Sequence, residues 1–231
     1  MGRFAGLLLG SIFLLPPALS ATDPDSLAEW VARRYGADAF PRVEALHFIF
    51  HLKVKGKDIE RRWKWFPRQD SVEYQGPDAG GLPVQAAYSR RNHFSMESPR
   101  IKEIDGRFIN DQYWLLFPLH LVWDKGLKLE AARIDAEDGK HVKGRKEAWR
   151  LTVTYPEAGG YTPGDAYDLF IDSTATIRRW IFRKGNIPKT TVEAVWADPE
   201  AIGPLWISLE RSGAKDGLKI RFQEVRIDTL D

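Results

Sequence analysis

The sequence predicts one antiparallel β domain: a large sheet, strongly curved or barrel-like, accompanied by a few helices. About nine to eleven runs alternate apolar and polar residues and are separated by turn-rich connections. These runs follow one another at hairpin spacing, without the β–α–β alternation that a parallel sheet needs. A chain of 231 residues with 43% hydrophobic content buries one good core, and no internal repeat or linker divides it.

The first 21 residues have the pattern of a secretory signal peptide. Arg3 supplies the positive start, the run Phe4 to Leu15 is apolar, and small residues at 18–21 offer a cleavage site. The apolar run is shorter than the roughly 20 residues that a membrane span needs, so an uncleaved anchor is the weaker reading. We expect an exported protein whose mature part, 22–231, is a single domain without a transmembrane segment.

Composition limits the compartment and the partners. The chain has no cysteine, which excludes lipid-modified lipoproteins of the lipobox type, thiol catalysis and zinc ribbons. It also lacks an N-x-Ser/Thr sequon, so a bacterial periplasm or the extracellular space fits better than a eukaryotic secretory route. The net charge of +2 lacks the basic excess of nucleic-acid-binding proteins, and we expect no nucleic-acid partner.

The mature chain begins with a predicted helix and a predicted hairpin. Asp23 and Pro24 are typical of a helix start, and Gly36 is typical of a helix end. Alternating runs 46–54 and 59–66 then flank a two-residue loop, Gly56-Lys57, that predicts a type II′ turn. This register pairs Phe48 with Trp65 and Phe50 with Trp63, and it places all four rings on one face.

A second hairpin has the same character. The runs 166–171 and 176–183, joined at 172–175, pair Ile171 with Thr176 in the simplest register. One face then carries the side chains Tyr167, Leu169, Ile171, Arg178, Trp180 and Phe182, and the opposite face sets Asp168 against Arg179.

Further strands are predicted over 71–75, 84–89, 127–134, 147–155, 190–196, 205–210 and 218–227. The apolar positions of the last run change phase near Gln223-Glu224, which predicts a β-bulge.

The segment 108–123 is the densest apolar stretch after the N-terminus and predicts the principal core helix. Asn110 or Asp111 is the predicted N-cap, and Pro118 is expected to end or kink the helix. Glycine, proline and charge in 92–105 predict a loop or a loose helix before it.

No catalytic or metal-binding motif accompanies these elements. The chain lacks G-x-S-x-G, H-E-x-x-H, a P-loop and G-x-G-x-x-G. Its five histidines lack metal-ligand spacing: His47, His51, His93, His120 and His141. The sequence therefore predicts a protein that is not an enzyme and that needs no cofactor.

Three stretches resemble an uncharacterised exported bacterial family with the lipoprotein-carrier (LolA-like) fold. They are Asn110 to Pro118 (NDQYWLLFP), Tyr167 to Asp172 (YDLFID) and Trp180 to Gly185, together with a first helix that ends in Tyr35-Gly36. The resemblance implies an unclosed β-barrel whose concave face is covered by helices over an apolar cavity. It also implies, from characterised relatives, that the cavity holds acyl chains of lipids or lipoproteins. It implies no catalytic residues.

Two functions follow as hypotheses. The first is an envelope protein that binds an apolar small molecule, a lipid or an acylated protein, without catalysis. The second is a structural or protein-interaction module of the periplasm, in which the same aromatic residues fill the core. The candidate ligand-binding residues are Phe48, Phe50, Trp63, Trp65, Tyr113, Trp114, Phe117, Tyr167, Leu169, Trp180 and Phe182.

Overall fold

The computed structural model describes residues 23–135, 137–142, 144–158 and 162–230. The predicted signal peptide, residues 1–21, lies outside these residues. The helices are Pro24–Arg34 (α1), His93–Glu97 (α2) and Pro99–Trp123 (α3). The strands are Val43–Val54 (β1), Lys57–Phe66 (β2), Ser71–Pro77 (β3), Pro83–Ser89 (β4), Lys128–Arg133 (β5), His141–Val142 (β6), Arg145–Thr154 (β7), Ala166–Asp172 (β8), Ile177–Arg183 (β9), Val192–Trp196 (β10), Pro199–Ile202 (β11), Leu205–Ser208 (β12), Glu210–Ser212 (β13) and Lys219–Thr229 (β14).

Twelve of the described strands form one antiparallel sheet. Its order is β4-β3-β2-β1-β14-β13-β10-β9-β8-β7-β5, with the short β6 on β7, and β11 pairs with β12 apart from it. Two meanders, β1 to β4 and β7 to β10, are thus joined through β14 and β13. Strands β4 and β5 end the order and do not pair with each other among the described residues, so the sheet is open. The predicted fold class is confirmed, with more short strands than the sequence predicts.

Helix α3 covers the inner face of the sheet along its whole length. Phe108 packs against Trp63 of β2, with ring centroids 5.5 Å apart. Two turns further on, Phe117 packs against Tyr167 of β8 at 5.1 Å. This one helix contacts both meanders because the sheet curves around it. This is the arrangement of helix and unclosed sheet that the family resemblance implies.

Helix α1 agrees with its prediction. The Asp23 carboxylate accepts a hydrogen bond from the Ser26 backbone N–H at 3.2 Å, and Pro24 occupies the first turn. Gly36 ends the segment with a φ of 96°, and a Cβ there would lie 2.9 Å from the Pro204 carbonyl oxygen. The buried stripe includes Leu27 and Val31, which join the common core.

The predicted register of the first hairpin is wrong by two residues. The turn is Lys55-Gly56, both with positive φ (50° and 74°), which is the type I′ geometry that suits the twist of paired strands. Phe48 therefore pairs with Trp63, and Leu46 pairs with Trp65. This register also sets Lys53 opposite Asp58, an opposite-charge pair. A shift of two keeps every side chain on its predicted face.

The second hairpin is also shifted. Leu169 pairs with Trp180 and Tyr167 with Phe182, while Ile171 pairs with Ile177 across a bulge. The bulge arises because Asp172 Oδ1 accepts the Thr174 and Thr176 N–H groups, which makes a longer turn.

Two charged partners in this hairpin consequently differ from the prediction. Asp168 accepts from Arg183 at 2.9 Å, whereas Arg179 donates to Glu147 at 2.8 Å. Arg178 is buried and forms ion pairs with Asp172 and Asp198. The shared aromatic face of β8 and β9 is retained in the common core.

Helix α3 starts earlier than predicted. Ser98 is the N-cap, accepting from the Ile101 N–H, and Pro99 opens the first turn. Since α2 precedes Ser98, the segment 92–105, predicted as a loop or a loose helix, is mostly helical. Neither Asn110 nor Asp111 caps a helix. The predicted effect of Pro118 is confirmed as a kink, because Leu116 leaves helical geometry at φ −110° and ψ 16°. The bulge in β14 is confirmed too: Ile49 pairs with Gln223 but His47 pairs with Arg226.

Candidate functional site

A cavity of about 250 Å³ lies between the middle of α3 and the adjoining ends of β8, β9 and β10. Five of the sequence-predicted residues line it: Tyr113, Trp114, Tyr167, Trp180 and Phe182. The other lining residues are Gly106, Ile109, Asn110, Thr162 and Val192. The fold brings them together because α3 crosses the sheet where the aromatic face of the second hairpin points inward.

The aromatic wall is held by ring-to-ring contacts. Tyr167 stacks on Trp180 with centroids 5.1 Å apart and planes 8° from parallel, and it stacks on Phe182 at the same distance. Trp114 of α3 meets Trp180 edge-on at 4.3 Å. Each such pair stabilises by about 0.5–1.5 kcal/mol beyond its buried area. These ring contacts hold the aromatic wall in one arrangement.

The cavity wall carries no formal charge. None of the ten described residues that line it is Asp, Glu, Lys, Arg or His. An isolated charge placed there would lack a partner and would lose its hydration, which is strongly unfavourable. The geometry therefore suits an uncharged apolar group, with Asn110 and Thr162 as the nearby polar side chains.

A buried hydrogen-bond chain runs from the cavity wall toward the end of α3. The Tyr113 hydroxyl donates to the Tyr155 hydroxyl at 2.6 Å, which donates to Asp124 at 2.8 Å. His120 Nδ1 lies 3.0 Å from the other oxygen of Asp124. Burial raises the pKa of Tyr113 and of Tyr155 well above the ordinary value, and it raises the pKa of Tyr167 to about 12. These phenols stay neutral at physiological pH, so the wall remains uncharged.

The other six predicted residues do not line this cavity. Phe48, Phe50, Trp63, Phe117 and Leu169 are buried in the common core, and Trp65 is half-buried against Phe40 and Phe108.

Trp63 is held in place by the ion pair of Arg61 and Asp111. Its Nε1–H donates to Asp111 at 2.9 Å, and Arg61 donates to both oxygens of the same carboxylate at 2.7 and 2.6 Å. Arg61, Trp63 and Asp111 thus bind α3 to β2, on the other side of the core from the cavity-lining hairpin.

Sequence reasoning missed half of the cavity wall. Gly106, Ile109, Asn110 and Tyr113 lie on one helical stripe by i, i+3 and i, i+4 spacing. Recognising Ser98-Pro99 as the helix start would have revealed that stripe. Thr162 follows a turn-rich connection and Val192 begins a short strand, and neither position carries a local signal.

A larger groove of about 520 Å³ lies against β1 to β4, and the predicted residues Phe48 and Trp63 are part of its lining although both are only 1% exposed. The rest of the lining is mostly polar and includes His47, Arg62, Lys64, Glu73 and Glu224. Arg62 and Glu224 form an exposed ion pair across it at 2.5 Å. Solvated charges of both signs do not define a ligand class, so the smaller aromatic cavity is the better candidate site.

No described helix combines the length and hydropathy needed to cross a bilayer. No group of three or more His, Asp or Glu side chains in the described ranges is placed to hold a metal ion.

The fold and the cavity define a protein with an open, curved antiparallel sheet around a long helix. No protein-family model and no curated protein matches the sequence. Among solved structures, a DUF1329 family protein from Desulfovibrio piger matches with a TM-score of 0.45 and 14% identity, over 90% of this chain and 94% of the other.

Two other solved structures match over most of this chain. The Mycobacterium tuberculosis lipoprotein LppX has a TM-score of 0.33 and 8% identity, with 90% of this chain and 99% of that chain covered. The Pseudomonas aeruginosa MucA/MucB complex has a TM-score of 0.27 and 12% identity, and the match covers 89% of this chain and 58% of the other. The strand order and pairing within this chain define its fold.

Proposed function

We propose that this chain is an exported bacterial envelope protein that binds an apolar ligand, without catalysis, in the cavity between α3 and β8 to β10. The ligand class is a lipid or acyl chain, either free or attached to an acylated protein. The observation that carries the proposal is the uncharged, aromatic-walled cavity of about 250 Å³. Its support from sequence is the predicted signal peptide and the predicted aromatic face of the second hairpin.

The size of the cavity limits what enters it. Pockets for drug-sized ligands span roughly 300–1,000 Å³. A cavity slightly below that range holds part of one acyl chain rather than a complete lipid. Gly106 and Asn110 line the cavity and are also exposed, so they mark the mouth through which the rest of the ligand extends.

The second candidate function is a structural or protein-interaction module. The observation that favours it is the dense packing elsewhere on the inner face, where Phe48, Phe50 and Leu169 are no more than 1% exposed. On this hypothesis the cavity is a packing defect that binds nothing specifically.

Gly106 provides a test that separates binding from stability. It lies in α3 at the cavity, and a Cβ there would meet no atom within 4 Å. Replacing a helical glycine also raises helix propensity by up to about 1 kcal/mol. Gly106→Leu should therefore keep or raise the denaturation midpoint while its side chain obstructs the mouth and weakens uptake of a fluorescent fatty-acid probe at least tenfold.

Gly106→Ala is the matched control, since it gains the same propensity with a side chain too small to fill the mouth. It should take up the probe as the wild type does. Trp180→Ala should also weaken uptake, but at about 3–5 kcal/mol of stability, whereas Trp63→Ala should lower stability with little direct effect on uptake. A wild-type protein that takes up no apolar probe would leave the module hypothesis as the better account.

A further inference from the structure

Two exposed segments adjoin cavity-lining residues along the chain, and both combine basic residues with an exposed apolar side chain. The first, 91–102, comprises α2 and the start of α3. The second, 184–189, belongs to the connection between β9 and β10. We name them the helical segment and the loop segment.

The helical segment carries Phe94, whose side chain is 84% exposed at the middle of α2. Around it, Arg91, Arg100 and Lys102 are exposed, with Glu97 as the acidic residue. Arg90, immediately before the segment, differs from these three because it is held by Asp70 and Asp105. The helical segment therefore presents a net charge of 3 − 1 = +2 beside an aromatic ring.

The loop segment repeats the combination. Ile187 is 51% exposed and lies between Lys184 and Lys189, both exposed. Here too the preceding arginine, Arg183, is paired with a carboxylate, that of Asp168. The loop segment adds +2, and the two segments together carry +4, although the entire chain has a net charge of only +2.

Both segments are continuous with the cavity wall. Lys102 precedes the cavity-lining Gly106 by one turn on the same face of α3, about 6 Å along the helix axis. The loop segment joins the two strands whose Phe182 and Val192 line the cavity. Nearby Asp165 accepts a hydrogen bond from the Gly185 N–H and so faces the base of the loop.

We propose that the helical and loop segments dock the protein on the surface of an anionic lipid bilayer, with the cavity mouth facing the membrane. Lysine and arginine near such a surface are attracted by its negative potential, and aromatic and apolar side chains enter the interfacial region. An acidic protein surface would satisfy the charges, but it would leave two exposed apolar side chains beside an apolar cavity unexplained. Docking would let an acyl chain pass between bilayer and cavity without crossing water.

Vesicle co-sedimentation tests the surface in the mature protein. We expect binding to vesicles of phosphatidylcholine mixed with phosphatidylglycerol, weak binding to phosphatidylcholine alone, and loss of binding at high salt. Each basic residue near an anionic surface strengthens binding roughly fivefold. The double variant Arg100→Gln/Lys102→Gln should thus bind roughly 25-fold more weakly, and Phe94→Ser should also bind more weakly.

Controls of the same chemistry lie elsewhere on the molecule. Lys57→Gln/Lys215→Gln removes two exposed positive charges, one at the start of β2 and one before β14, and Leu82→Ser removes a side chain that is 66% exposed in the β3–β4 connection. Both should bind vesicles as the wild type does. Equal losses in the control and test variants would overturn the proposal, because they would indicate attraction by overall charge.

Two further outcomes are decisive. Wild-type protein that fails to bind the mixed vesicles overturns the proposal directly. Binding to soluble polyglutamate as tightly as to the vesicles, unaffected by Phe94→Ser, would assign the surface to an acidic protein instead. The test is separate from that of ligand uptake, since Gly106→Leu should bind vesicles normally while taking up less probe.

Discussion

At the scale of single residues, two buried arginines hold α3 on the sheet in different ways. Arg61 is paired with the carboxylate of Asp111, which is 0% exposed. Arg211 is also 0% exposed, but it donates to the carbonyl oxygens of Ser208 and Trp114 and lies over the Trp196 ring at 3.9 Å. Burial lowers the pKa of Arg211 to about 9.

The bond from Arg211 to Trp114 has a specific origin. Proline has no N–H, so Pro118 cannot donate to the carbonyl oxygen four residues earlier, which is that of Trp114. Arg211 Nη2 supplies the missing donor at 3.0 Å. The kink of α3 and the buried cation are therefore parts of one arrangement.

Removing Arg61 from the Arg61–Asp111 pair should destabilise the protein by an amount that depends on pH. Arg61→Met leaves a buried carboxylate without its cation, and we expect a loss of about 3–5 kcal/mol in the free energy of unfolding at neutral pH. Burial raises the pKa of Asp111 even in the wild type, and removing Arg61 should raise it further. Below the unfolded-state pKa the carboxyl is protonated in both states, so the penalty should shrink as the pH falls.

Urea denaturation at neutral and acidic pH measures both effects. The double variant Arg61→Met/Asp111→Asn serves as the control, because it removes both charges and should lose less than the sum of the two single changes. A deficit of Arg61→Met that stays constant with pH would show that lost packing, rather than the unpaired carboxylate, causes it.

At the scale of elements, the β1–β2 turn shows how a small error in register arises. Alternation of apolar residues predicts the faces of both strands correctly, because the side-chain period is two and the true register differs by two. Which residues pair depends on the turn, where Lys55 has a φ of 50°. A lysine rarely adopts that conformation, and its sequence position carries no sign of it.

Two substitutions in this turn should change the stability of the protein in opposite directions. Gly56 has a φ of 74°, so Gly56→Val should destabilise the protein by about 1 kcal/mol or more through backbone strain. Lys55→Asn should stabilise it by a few tenths of a kcal/mol, because asparagine tolerates left-handed geometry and favours the first position of a type I′ turn. Thermal or urea denaturation midpoints would report both, and midpoints that move in the same direction would contradict the turn type.

The candidate site was predictable only in part, because local alternation predicts strand faces but not how α3 lies on them. Strand alternation brings Tyr167, Trp180 and Phe182 to one face whatever else happens. The cavity itself depends on the path of α3, and hence on the cap at Ser98 rather than at Asn110 or Asp111. Phe48 and Phe117 share the aromatic character of the cavity wall but fill the core. Composition does not distinguish a ring that lines a space from one that fills it.

At the scale of the whole molecule, the predicted export has a direct test. We expect the purified mature protein to begin near Ala21 or Thr22, and N-terminal sequencing or intact mass would show it. Cleavage there leaves Asp23 and Pro24 in place to start α1. We therefore expect the same denaturation midpoint for the mature protein and for a form that retains residues 1–21. Recovery of protein that retains Met1 from the cell envelope would contradict the prediction.

The pairing of β1 with β14 in the middle of the sheet bears on how the protein is made. Val43 lies opposite Thr229, and the Leu230 N–H donates to the Arg42 carbonyl oxygen at 3.0 Å. The two meanders on either side can form from local contacts, but they join only when the last strand arrives. Long-range pairing of this kind slows folding. Whatever the compartment, one edge of β1 therefore stays unpaired until the last strand has been synthesised, although β2 already covers its other edge.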